Sequence, residues 1–167
     1  MKKLNIRIIL LQFFGMIFFI NGILQLRLYS VSEKIICLKN HFPNQKLECC
    51  TQLFPKKEDV LSFWPGVYIW IFFALLIGVF LIAYFNWKNK LSPLNTIIIT
   101  ILFYILLRLK FFRREIVSHL FRPIRTLLFN DLGAQYLFEG IVFTTIGLVI
   151  LSLSIKTNLF SSKKSLV

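Results

Sequence analysis

Apolar and polar positions alternate along this chain on the scale of a membrane thickness rather than of a helix turn. Four apolar runs, at about residues 8–28, 66–85, 94–112 and 136–155, are separated by segments rich in charge, proline and amide side chains. Each run is close to the ~20 residues that cross a ~30 Å hydrocarbon core at 1.5 Å per residue. The pattern predicts an all-α membrane protein, a single domain over residues 1–167. Its four transmembrane helices form an antiparallel bundle, with a long first loop and a basic amphipathic connector between helices 3 and 4.

The first run follows Lys2, Lys3 and Arg7, and no small-residue cleavage site follows Gly22, so it reads as an uncleaved helix. Gly15 and Gly22 fall on one face, with Gln25 about 60° away. In the fourth run Gly140, Thr144, Gly147 and Ser154 are offset by 4, 7 and 14 residues and again share a face. Such stripes suit helix packing in lipid, where close backbone approach replaces the hydrophobic effect. Arg27 lies near enough to a span end to snorkel. Tyr29 to Phe63 reads as a partly ordered loop containing Pro43, Pro55 and all three cysteines, with Asp59 as the N-cap of a short interfacial turn and Trp64 at the membrane surface. A short turn ending in Ser92 and Pro93 makes the second and third spans antiparallel neighbours.

Composition sharpens the class. The chain is 57% apolar and 16% aromatic, with a mean hydropathy of +0.73, more than a soluble core hides. The formal charge of +13, from 20 Lys and Arg against 7 acids, would suggest nucleic acid in a soluble chain. Here the cations flank apolar runs, where lipid headgroups account for them and no nucleic acid is implied. With the N-terminus inside, the inner segments hold eight basic residues and the outer ones twelve, which argues for the reverse orientation. The first helix usually dominates, however, and that favours termini inside. Cys37, Cys49 and Cys50 leave two readings: Cys37 pairs with one of the vicinal pair in an oxidising compartment, or all three are reduced.

No catalytic motif accompanies this pattern, so the chain reads as a non-enzyme without cofactor. A membrane aspartyl peptidase needs two facing aspartates, but only Asp59 and Asp131 occur and neither lies in a matching motif. A CxxC redox pair, a metal cluster, a phosphate loop and a serine elbow are all missing. Glu139, one turn into the fourth span, is either a functional carboxylate or a headgroup-level counter-ion to Arg122 or Arg125. Asn21 and Gln25, one turn apart, either hydrogen-bond across the bundle or serve packing alone.

Most of the remaining information lies in Phe111 to Gly140, FFRREIVSHLFRPIRTLLFNDLGAQYLFEG. It reads either as a helix on anionic lipid, with Phe111, Phe112, Leu120 and Phe121 dipping in, or as a surface whose arginines meet a partner. Phe112-Arg113, eight residues, Arg122-Pro123-Ile124-Arg125, four residues and Asn130-Asp131 follow one another in a spacing that resembles the third loop of immunity proteins against pore-forming colicins of the A and B type. Ser92-Pro93-Leu94 at the third span is similar to that family as well. The resemblance implies insertion in the bacterial inner membrane with cytoplasmic termini, and binding of the toxin's pore-forming domain within the membrane so that its channel stays closed. It makes membrane lipid and a pore-forming toxin the partners. The recognition candidates are Arg113, Arg122, Pro123, Arg125, Asn130 and Asp131, with Glu139 beside them and Gly140, Thr144 and Gly147 as a packing groove. A second likeness, of Gln135, Tyr136 and Glu139 to accessory subunits of oligosaccharyltransferase, points instead to a subunit of a membrane complex.

Overall fold

A computed structural model describes residues 5–41, 52–108 and 127–161. Five helices run through these residues: α1 (Ile6–Ser30), α2 (Ser32–His41), α3 (Lys57–Lys88), α4 (Pro93–Arg108) and α5 (Leu132–Ser161). Among the described residues there is no strand. Three of the helices, α1, α3 and α5, are long and apolar enough to cross a membrane. The fourth, α4, is 16 residues over its described part, about 24 Å, and residues 109–112 of the predicted third span lie outside the described residues.

Helix ends follow local chemistry. Asn5 starts α1 by accepting the Ile8 N–H at 3.4 Å. Asp59 does not cap a separate turn, as the sequence suggests. Its carboxylate accepts the Lys56 N–H at 3.0 Å from the third helical position, so Lys56 is the cap and α3 begins at Lys57. From there α3 continues through Pro65 into the apolar run. Proline removes one intrahelical bond, to the Leu61 carbonyl, and it does so on an outer turn where Leu61 is 79% exposed. The predicted first loop is also less irregular than expected, because Ser32 to His41 lacks proline and glycine, carries Glu33 in its first turn and buries Ile35 and Cys37 as α2. At the other end of α3 the Leu91 N–H returns to the Asn86 carbonyl (2.9 Å) and the Lys90 N–H to Trp87 (3.0 Å), with Lys90 left-handed at φ 54°. That reversal delivers Pro93 to the first position of α4.

The helices are arranged around α1. Its most apolar stretch is 61% buried, against 28% in α3 and 33% in α5, and α1 packs far more extensively on α5 and α3 than those two pack on each other. Contacts of α1 with α5 pair Gly15 with Leu151, Phe19 with Gly147, Gly22 with Thr144 and Leu26 with Gly140, so the two run antiparallel. Contacts with α3 pair Gln12 with Asn86, Met16 with Gly78 and Arg27 with Trp70, again antiparallel. On α4, Phe103 meets Phe13 with ring centroids 4.9 Å apart.

The α1–α5 seam is backbone against backbone. A methyl group added at Gly147 would lie 2.6 Å from the Phe19 nitrogen, one at Gly140 2.9 Å from the Leu26 nitrogen, and one at Gly22 2.8 Å from the Thr144 Cα. None of these neighbours is a side-chain end that can swing aside. Gly66, by contrast, has nothing within 4 Å. Gly22→Leu and Gly147→Leu should therefore each separate the two helices and lower the melting temperature of the purified chain in detergent. Gly66→Ala should hold or raise it, by up to about 1 kcal/mol of helix propensity.

Candidate functional site

One end of the bundle gathers Asn130 and Asp131 with polar groups of α1 and α2. There α1 turns into α2 at Val31, the approach to α3 crosses at Leu53 and Phe54, and α5 begins. Asp131 makes that start: its Oδ2 accepts the Ala134 N–H at 2.7 Å, which satisfies a free donor of the first turn and places a carboxylate at the positive end of the helix dipole. Gln135, buried one turn on, donates to the Phe129 carbonyl and ties down the chain ahead of the cap. Gly133 then fits against Ser32 of α2, whose hydroxyl oxygen would be 3.4 Å from a methyl group there.

These segments enclose an open cleft of about 560 Å³, with Tyr29, Ser32, Glu33, Lys34, Leu53 and Asp131 in its walls. A cleft of that volume admits a side chain or a short peptide segment. The walls carry two carboxylates, hydroxyls and a lysine. Lys34 Nζ lies 5.3 Å from the centroid of Phe54, which packs edge-on against Phe63 of α3. Cys37 is disulfide-bonded, and its partner lies outside the described residues. Among the described residues no group of three His, Cys, Asp or Glu converges to hold a metal ion.

The predicted site residues separate into three sets. Arg113, Arg122, Pro123 and Arg125 lie outside the described residues. Asn130 and Asp131 stand exposed at the cleft end, Asp131 engaged as the cap of α5. Glu139, Gly140, Thr144 and Gly147 do not form an open groove. Glu139 is 6% exposed, and the three small residues are filled by α1 through Leu26, Gly22 and Phe19. The Thr144 hydroxyl is buried against Gly22 with no conventional hydrogen-bond partner, a place for a weak Cα–H contact. Asn21 and Gln25 bond along their own helix, Gln25 Nε2 donating to Asn21 Oδ1 at 3.2 Å.

The opposite end holds a polar cluster that sequence reasoning passed over. Gln12 of α1 and Asn86 of α3 exchange two amide hydrogen bonds, 2.8 and 3.3 Å, and Asn86 Nδ2 also donates to Thr96 Oγ1 of α4 at 3.0 Å. Three helices are thus pinned at one level. For Gln12 the signal was present, since it is a lone amide in an apolar run and needs a partner there. Asn95, next to Thr96, is wholly buried, and neither its Oδ1 nor its Nδ2 has a partner.

Comparisons with family models, with curated proteins and with solved structures return no match for this chain. The site is therefore read from its own geometry.

The polar cluster makes an asymmetric prediction, because a buried polar group is costly only when its partner is removed. Gln12→Leu leaves the Asn86 amide without its two bonds and should lower thermal stability in detergent by about 1–3 kcal/mol. Asn95→Leu removes a group that bonds to nothing and should be neutral or stabilising by the same measurement.

Proposed function

We propose that this chain is an immunity protein of the bacterial inner membrane. It protects its host by binding the pore-forming domain of a colicin-like toxin within the bilayer and keeping the channel closed. On this reading it crosses the membrane four times, with the apolar run 94–112 as the third span, both termini in the cytoplasm and the cleft end outside. The observation that carries the reading is the run from Phe112 to Asp131, whose last two residues stand at the end of the bundle that also holds the Cys37 disulfide.

Three physical arguments support it. A disulfide persists in an oxidising compartment, which favours an α1–α3 connection outside the cytoplasm. Asp131 and Gly133 line the same cleft as Ser32 and Glu33, which brings the end of the basic connector to that same side. The excess of outer cations then runs against the usual charge rule, and a recognition role gives those cations a reason to be there. A toxin hairpin inserted in lipid has to be met by lateral helix packing. The α1–α5 seam is already closed, so that packing falls to the outer faces of α3 and α4, where Phe72, Phe73, Phe80, Ile97, Ile101 and Tyr104 are exposed. The arginines outside select among toxins by charge.

A second reading, an accessory subunit of a membrane complex, draws on that same exposed aromatic face of α3, which a neighbouring subunit would cover as well as lipid does. One experiment separates the two. The chain is expressed in a sensitive strain and challenged with pore-forming toxins, including any encoded beside it. Protection against one toxin is expected, reduced by Arg122→Ala with Arg125→Ala while membrane insertion persists. Absence of protection against every candidate, together with co-purification in a stable complex, would favour the subunit.

A further inference from the structure

Arg27 stands out because the described residues hold it in place with a hydroxyl and a ring and bring no carboxylate to it. It is half-buried one turn from the end of α1. Its Nη1 donates to Ser30 Oγ at 3.1 Å, and that hydroxyl donates in turn to the Arg27 carbonyl at 2.8 Å. The guanidinium carbon lies 5.4 Å from the centroid of the Trp70 ring on α3. The Nε–H is enclosed without an acceptor, and no carboxylate among the described residues pairs with the group. Of the five N–H donors of a guanidinium, the described residues engage one and enclose Nε–H, which leaves three on the Nη atoms.

Depth identifies what the others face. From Trp70 to Lys88 along α3 is 18 residues, about 27 Å, close to the thickness of a hydrocarbon core. Lys88, Trp87 and Lys90 mark one surface. Trp64, Tyr68 and Trp70 mark the other, Trp64 and Tyr68 stacked at 6.1 Å and all three exposed. Arg27 is level with the second belt, at the height of phospholipid phosphates. A cation at an apolar boundary without a counter-ion is costly, and arginine's planar fork matches two oxygens of a phosphate.

We propose that Arg27, clamped by Trp70 and Ser30, is a binding site for the phosphate of a phospholipid headgroup in the leaflet at the cleft end. The ring holds the cation by its face and leaves the in-plane donors for the phosphate. The site depends on the chain lying in a bilayer, but not on its acting against a toxin.

The test is native mass spectrometry of the full chain in detergent. It is titrated with phosphatidylglycerol, with phosphatidylethanolamine and with a phosphate-free monogalactosyl diacylglycerol. Both phospholipids should bind the unsubstituted chain about tenfold more tightly than the galactolipid, a margin in the range of one charge-assisted pair. Arg27→Gln should abolish that margin, and Arg27→Lys should keep part of it. Trp70→Leu leaves the charge but removes the clamp, and should narrow the margin even if Arg27→Gln fails to fold. Undiminished phospholipid preference in Arg27→Gln or in Trp70→Leu overturns the proposal. So does equal occupancy by inorganic phosphate alone, which would make the site one for a free anion. Unchanged lipid binding with loss of toxin protection would also overturn it and give Arg27 to a protein partner.

Discussion

Close approach of α1 and α5 is the constraint from which the rest of this architecture follows. An apolar side chain gains nothing by leaving lipid for another apolar side chain, so two helices associate in a bilayer by fitting surfaces together. Gly15 and Gly22 on one helix and Gly140, Thr144 and Gly147 on the other let the backbones meet along about three turns. With that pair fixed, α1 becomes the post on which α3 and α4 lean. The bonds Gln12 makes to Asn86, and Asn86 to Thr96, pin those two helices at one level.

The seam is closed by the protein's own helix and offers no surface to a partner. What stays open is the cleft end, with Asn130, Asp131, Glu33 and Lys34, together with the outer faces of α3 and α4. The disulfide at Cys37 and the cap at Asp131 hold the segments around that cleft from two sides. Arg27 lies near that end, its guanidinium against Trp70 and Ser30 and unpaired by any carboxylate among the described residues.

Much of this was legible in the sequence, for identifiable reasons. The apolar runs located α1, α3 and α5 because hydropathy over ~20 residues is a strong signal. The two small-residue stripes were legible as faces, but not that each is the other's partner, because residues 15–22 and 140–147 are far apart in sequence and periodicity carries no pairing information. Asn130 and Asp131 stood out by spacing, yet the capping role of Asp131 was hidden until the helix start was fixed at Leu132. The helix from Ser32 to His41 was missed because Pro43 and the cysteines gave the whole segment the look of a loop. Gln12 and Asn95 were missed because a single amide in a long apolar run weighs little against its neighbours.

The account turns on which side of the membrane the cleft end faces, and a membrane-impermeant thiol reagent applied to intact cells measures that directly. A cysteine at Asn130 should label above the background of the unsubstituted chain, and one at Lys88 should label only after the cells are opened. Labelling of the Lys88 position in intact cells, with Asn130 protected, would put the cleft and the basic connector in the cytoplasm and contradict both the orientation and the recognition role built on it.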